Sequence, residues 1–176
     1  MLITADYKEQ NKKLHETKPE YGISSQRWGN EVKMLAAKFQ AESVLDYGCG
    51  KGELKNAVGF AFTCLVDYRE YDPAIEGKDE TPDPADLVVC TDVMEHIEPE
   101  LLDNVLDELE RLTKKAIFIT VDTRPAKKFL DDGRNAHLIQ ESSEWWLPKL
   151  MSRFELLSFN GGKGKFIVVM GKKHEA

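Results

Sequence analysis

Ser43-Val-Leu-Asp-Tyr-Gly-Cys-Gly-Lys-Gly52 is the stretch on which the fold of this chain turns. Ser43 to Tyr47 form a short buried-strand pattern that runs into three glycines at alternate positions, Gly48, Gly50 and Gly52, and Lys51 to Val58 can open a helix directly behind them. A strand that breaks on a glycine turn and restarts as a helix is the entry of an α/β unit. Glycine permits positive φ and carries no Cβ, so the backbone at Gly48 and Gly50 can approach a ligand closely. Asp46 can face a cationic group of that ligand or order the turn. A bare strand-to-helix turn would not need three glycines.

On the carboxyl side of this turn, short runs rich in Val, Ile, Phe or Cys predict a second strand within Thr63 to Tyr71, a third in Leu87 to Thr91 and a fourth in Ala116 to Val121. Between the last two lies a helix with Pro99 in its first turn, Glu98 and Glu100 at its positive end and Lys114 and Lys115 at its negative end. Leu102, Val105, Leu106, Leu109 and Leu112 are its buried stripe. After a loop from Asp122 to Gln140 comes a helix from Ser142 to Met151. Trp145 and Trp146 are adjacent on it and cannot both face the core fully. Phe154 to Phe159 and Lys165 to Met170 then flank a hairpin signal at Gly161 and Gly162. The fold class is therefore α/β: a doubly wound, mostly parallel sheet with a C-terminal antiparallel hairpin. In such sheets a ligand sits beyond the carboxyl ends of the strands.

On the amino side, Trp28, Val32, Leu35, Ala36 and Phe39 recur at helical spacing behind a cap at Ser24 or Ser25. Asp6 to Thr17 is polar and helix-prone, and reads either as a loosely docked helix or as a mobile arm. Residues 1–42 thus form an N-terminal helical lid segment on a domain spanning 43–176, one compact unit overall.

The formal net charge of −7 works against non-specific binding to nucleic acid, which needs clustered Lys and Arg on phosphates. No apolar run is long enough to cross a bilayer and no signal-peptide pattern is present, which makes the cytoplasm the default location. Cys49, Cys64 and Cys90 form no metal-ligand spacing and no disulfide framework, and read as small core residues. No metal ligand is expected, and the oligomeric state is open.

The glycine turn excludes two familiar ligands. A dinucleotide fingerprint would put its third glycine where Glu53 stands, and a carboxylate is a poor neighbour for a pyrophosphate on a helix N-terminus. No Gly-Lys-Ser or Gly-Lys-Thr follows for a nucleoside triphosphate. With Val44-Leu-Asp-Tyr-Gly-Cys-Gly-Lys-Gly52, the chain instead resembles the first motif of the class I S-adenosylmethionine-dependent methyltransferases. Asp86-Leu-Val-Val-Cys-Thr-Asp-Val-Met-Glu-His-Ile97 is similar to the fourth-strand motif of the small-molecule enzymes in that class. The resemblance implies S-adenosyl-L-methionine as cofactor, held at Asp46, Gly48, Cys49, Gly50 and Gly52, with Thr91, Asp92 and Val93 beside its methionine end.

An acid at the end of the second strand should hold the ribose hydroxyls; Asp72 is preferred, with Pro73 beside it ending the strand and Ala74 and Ile75 over the adenine, and Asp67 is the alternative. Thirteen residues separate Asp72 from Asp86, too few for the helix, strand and helix the family fits there. The third edge strand is therefore expected to be missing or vestigial. Asp79 and Glu80 in that stretch either replace an adenine contact or form a solvated loop.

Methyl transfer needs alignment of donor and acceptor and exclusion of water more than it needs a triad. His96 and His137 are the candidate catalytic bases, with a hydrogen-bonded structural role the alternative for His96. Acceptor-side candidates are Tyr21, Arg27 and Trp28 before the first strand, and Arg124, Lys127, Lys128, Arg134 and Asn135 after the fourth. The basic cluster suggests a small, anionic acceptor, or else an ordinary solvated loop. Nothing resembles the Asn-Pro-Pro-Tyr string of DNA amino-methyltransferases or the Pro-Cys of cytosine C5 enzymes. The expected activity is methyl transfer to a small molecule; the alternative is a protein that binds S-adenosylmethionine without transferring its methyl group.

Overall fold

The computed structural model describes residues 1–173 and builds its sheet around β1 (Ser43–Tyr47), every residue of which is buried. β2 (Asp67–Tyr71) and β3 (Ala85–Thr91) flank β1 in parallel, and β4 (Thr113–Asp122) runs parallel to β3. β5 (Phe154–Gly162) and β6 (Lys165–Lys172) form an antiparallel hairpin whose second strand pairs with β4, giving the order β2-β1-β3-β4-β6-β5. Burial on both faces is why β1 and β3 read as continuous apolar runs without alternation.

Helices α2 (Gly29–Lys38) and α3 (Glu53–Val58) cover one face, packing Val32, Leu35 and Leu54 on Val44, Leu87 and Phe118. On the other face, α5 (Leu102–Leu112) and α6 (Ser143–Arg153) pack on Leu45, Val88 and Ile117. All five expected stripe residues of α5 are buried. Trp146 is fully buried while Trp145 is half-exposed under Lys149. No helix among the described residues is long and apolar enough to cross a membrane.

The missing strand is missing: among the described residues nothing pairs with the sheet between β2 and β3, and β2 forms the edge. The connection is instead folded by short-range bonds, Asp72 N to the Lys78 carbonyl (2.9 Å) and Lys78 N to the Ile75 carbonyl (3.0 Å). Other expectations shift. A short helix α4 (Phe60–Thr63) takes the start of the expected second strand, and Cys64 behind it is exposed rather than core. Lys114 and Lys115 lie in β4, because α5 already stops at Leu112 and Arg111 is the base in its last turn. Gly161 and Gly162 continue β5, and the hairpin turns two residues later at Lys163 and Gly164, where Gly164 has φ +82°. Neither Ser24 nor Ser25 caps α2, since both lie inside a 3₁₀ turn, Ser24–Trp28, that precedes it.

The N-terminal segment is a docked helix, α1 (Ala5–Thr17). Thr4 caps it by accepting from Tyr7 N (3.2 Å) and anchors it by donating from its own N and Oγ1 to the buried Glu98 (2.8 and 2.6 Å). Its sparse apolar face suffices because the target is small: Tyr7 and Leu14 pack on Leu130 of the loop after β4, a cluster separate from the two layers of the main core.

Candidate active site

The glycine turn caps the carboxyl end of β1 and is stitched to β2, with Gly48 N and Cys49 N both donating to the Tyr71 carbonyl (2.8 and 3.0 Å). Gly48 and Gly50 take φ of +73° and +53°, and each is crossed closely by a neighbour. A Cβ at Gly48 would strike Val93, and one at Gly50 would lie 2.6 Å from the carbonyl oxygen of Gly22. Only glycine meets both demands. The contact at Gly50 also shows what lies over the turn: the Gly22 carbonyl accepts from Lys51 N (3.0 Å), and Lys51 Nζ donates to the carbonyls of Lys18 and Pro19.

Asp72 follows β2 directly and is buried, accepting from Gly50 N through Oδ2 (3.0 Å) and from Ala74 N through Oδ1 (3.0 Å). It therefore fixes both walls of the same recess, the glycine turn and the Pro73–Ala74 turn. Asp67 starts β2 at the opposite, amino end of the sheet, exposed and paired with Arg69 (3.1 Å). Of the two acids left open by the sequence, only Asp72 borders the recess.

At the end of β3, Asp92 adopts φ +54°, a conformation uncommon outside glycine. Thr120 of the adjacent strand imposes it: Asp92 N donates to the Thr120 carbonyl and Oγ1 (3.1 and 3.0 Å), and Thr120 Oγ1 donates back to Asp92 Oδ1 (2.8 Å). The chain then turns through a 3₁₀ segment, Met94–His96, that carries Glu95 and His96 under the recess.

These features line one cavity of about 1080 Å³. Gly48, Cys49, Gly50, Asp72, Pro73, Ala74, Thr91, Asp92 and Val93 form one end, and Tyr21, Glu95, His96, Arg124, Lys127, Lys128 and His137 the other. The lid is α1 and the segment behind it, which contribute Tyr7, Asn11, His15, Gly22 and Ser25. Tyr7, Asn11 and His15 were not singled out from the sequence, because α1 is polar and its few apolar residues give no strong stripe. Tyr7 ties the lid to the floor by donating its hydroxyl to the His96 carbonyl (2.6 Å). The edge of Tyr21 meets the His96 ring, and His96 meets His137 edge-to-face with ring centres 4.8 Å apart.

Several expected contacts fall outside the cavity. Asp46 lies buried beneath the turn, hydrogen-bonded by the Tyr68 hydroxyl of β2 (3.3 Å), and does not line the cavity. Gly52 is placed by close packing on Glu70 and Lys78 instead of by a ligand. Arg27 pairs with Asp92, and Trp28 packs edge-on against Phe118 on the far face of the sheet. Arg134 pairs with Asp132 (2.6 Å) beside the Tyr7 ring, and Asn135 staples its own loop through the N and carbonyl of Ala126 (2.9 Å each). Asp79 is bound by Lys8 of α1 (2.9 Å), so the acidic connection holds the lid, and neither it nor Glu80 lines the cavity.

Burial sets the charge of the floor. It pushes the Glu95 carboxyl up to about 8, aided by Asp92, and holds the His96 imidazole down at about 4, aided by His137. Asp46 is raised to about 7, first by burial and then by Glu70. A carboxyl whose folded pKa lies above its ordinary 3.8 contributes stability that is fully present below about pH 4 and lost as the pH climbs through about 7. Asp46→Asn removes that loss, so its stability relative to the parent should rise between pH 5 and pH 8, by up to about 3 kcal/mol. Urea unfolding at the two pH values measures it; a pH-independent difference would show that Asp46 is ionised throughout.

Parallel strands ending on a glycine turn, an acid after the second strand and a roofed cavity beyond them define an α/β enzyme with a nucleoside-type site. The sequence matches the methyltransferase domain family over residues 23–159, and the chain belongs to that family. No curated protein matches the sequence. Among solved structures, the fold is similar to 1,6-didemethyltoxoflavin-N1-methyltransferase of Burkholderia thailandensis, crystallised with bound 1,6-didemethyltoxoflavin and S-adenosylhomocysteine. The identity is 12%, the match covers 99% of this chain and 92% of that one, and the TM-score is 0.68. It is similar to the N-methyltransferase NodS of Bradyrhizobium japonicum (11% identity, 96% and 100% covered, TM-score 0.64). It is also similar to an rRNA methylase of Escherichia coli (13% identity, 97% and 78% covered, TM-score 0.54).

Proposed function

We propose that this methyltransferase moves the methyl group of S-adenosylmethionine to a small, anionic molecule. What supports this is the one cavity that runs without interruption from the glycine turn to the basic loop under a docked lid. Its volume of about 1080 Å³ accommodates a cofactor and a small acceptor together. The cofactor end fits the group: the backbone at Gly48 and Gly50 is bare of Cβ, Asp72 presents two carboxylate oxygens with spare lone pairs, and Ser25 Oγ and Thr91 Oγ1 are buried without a partner among the described residues. In this arrangement Asp72 takes the ribose hydroxyls, Pro73 and Ala74 cover the base, and Thr91 to Val93 border the methionine end. When bound, the cofactor supplies an already activated methyl group.

The protein's own part is to orient the acceptor and keep water out. At the acceptor end, Lys127 and Lys128 supply positive charge, and Tyr21, His96 and His137 form a floor of rings, with the His96 imidazole held neutral by its burial. A roofed cavity suits a molecule that enters whole. The net charge of −7 opposes a polynucleotide, even though relatives of this fold include an enzyme named for rRNA.

Incubation with methyl-labelled cofactor and a metabolite pool split by charge tests the proposal. Label should appear in the anionic small-molecule fraction; label only in RNA or in cationic compounds would refute the substrate class, and cofactor binding with no product from any pool would refute the activity.

A further inference from the structure

Glu95, His96 and His137 come together at the floor of the cavity from two loops, one after β3 and one after β4. One ligand atom of each lies within 4.8 Å of the others. Each side chain is fixed from behind. Nδ1 of His96 lies 2.7 Å from the Ala136 carbonyl, and Nδ1 of His137 lies 2.6 Å from the Arg124 carbonyl. A carbonyl oxygen only accepts, so both Nδ1 atoms carry the proton and both Nε2 atoms are left as lone-pair donors. Metal-bound histidines are held in this way, with the second nitrogen donated to a carbonyl or carboxylate.

Glu95 is fully buried, and its two oxygens are treated differently: Oε1 accepts from Asp122 N (2.9 Å), whereas Oε2 has no partner among the described residues. A buried acceptor left empty is costly and calls for a ligand. Carboxylates of Asp92 and Asp122 stand nearby, with Arg27 on one oxygen of Asp92 and Arg124 on both oxygens of Asp122.

We propose that Glu95, His96 and His137 bind a divalent first-row transition-metal ion. Two imidazoles and one carboxylate suit zinc, manganese or iron(II) and not magnesium or calcium, which prefer all-oxygen shells. Tetrahedral bonds of about 2.1 Å put ligand atoms roughly 3.4 Å apart, so the three side chains need to close by about an ångström. That movement falls to His137, which is half-exposed on a loop and moves together with the Arg124 carbonyl that holds it. Three protein ligands leave a coordination position open toward the cavity, as catalytic sites do. That position would hold an oxygen of the methyl acceptor, a consequence that rests on the proposed methyl transfer. The ion uses the same Nε2 lone pairs that base catalysis by His96 or His137 would need, so the two roles exclude each other.

The test is titration of the full chain, stripped with a chelator, with Zn²⁺ and with Co²⁺, read by calorimetry and by the visible absorption of bound Co²⁺. One ion per chain is expected, with a nitrogen–oxygen spectrum free of thiolate charge transfer. His137→Ala and Glu95→Gln should each weaken it by roughly a hundredfold or more, beyond the loss that outer-shell changes cause. Thermal melts and S-adenosylhomocysteine affinity, which reads the other end of the cavity, establish that the variants are folded. Absence of a stoichiometric ion, or equal affinity in both folded variants, would overturn the metal site while leaving the cofactor assignment intact. Loss of S-adenosylhomocysteine binding in a metal-loaded parent would do the reverse.

Discussion

Asp72→Ala is expected to weaken S-adenosylhomocysteine binding by roughly ten- to a hundredfold, through loss of charge-assisted hydrogen bonds. Two losses combine. The carboxylate would no longer face the ribose, and the amides of Gly50 and Ala74 would lose the acceptor that sets the two turns against each other. Asp72→Asn separates these effects: it keeps one oxygen for a backbone amide but offers fewer acceptor sites to the ribose, and should fall between the parent and the alanine variant. Calorimetry on both variants, with a thermal melt to verify folding, makes the measurement. Unchanged affinity in both would move the ribose elsewhere. It would not move it to Asp67, which begins the same strand five residues earlier, roughly 16 Å away at about 3.3 Å per residue.

The features legible in the sequence were those fixed by local pattern. β1, the glycine turn and the stripe of α5 follow from periodicity and from the conformational demands on glycine, and the short, charged span after Asp72 left no room for another strand. Boundaries slipped where two local preferences competed: Lys114 and Lys115 suit a helix end, yet β4 carries them through an irregularity between its Thr113–Ala85 and Ala116–Leu87 pairs with β3.

The site was legible only at its cofactor end, where the residues are contiguous. Arg27, Trp28, Arg134 and Asn135 have suitable chemistry near the right strand ends, but their directions depend on partners elsewhere, namely Asp92, Phe118, Asp132 and Ala126. Likewise Glu95, His96 and His137 form a cluster only after two loops meet, through the bond of Ile139 N to the Glu95 carbonyl (3.0 Å) and that of His96 Nδ1 to Ala136. No spacing rule within one segment encodes that meeting.

Deletion of residues 1–23 should cut turnover by about a hundredfold or more, the scale set by loss of acceptor alignment, while S-adenosylhomocysteine affinity falls far less. The asymmetry follows from what the lid touches. Over the cofactor end it contributes a backbone crossing at Gly22, whose removal frees Lys51 N to bind water. Over the acceptor end it contributes Tyr7, Asn11 and Tyr21, and it carries Tyr7 and Leu14 into the cluster that holds the loop of Lys127 and Lys128 in place. Without them the loop loses its apolar anchor and the cavity opens to solvent.

Because such a deletion also exposes Leu130, a second variant keeps the test independent of folding. Tyr7→Phe retains the ring and its packing and loses only the 2.6 Å bond to the His96 carbonyl. Its kcat should fall with S-adenosylhomocysteine affinity unchanged, since that bond sets the floor beneath the acceptor and touches nothing at the cofactor end. Full-rate methylation by both proteins would remove the N-terminal segment from the site.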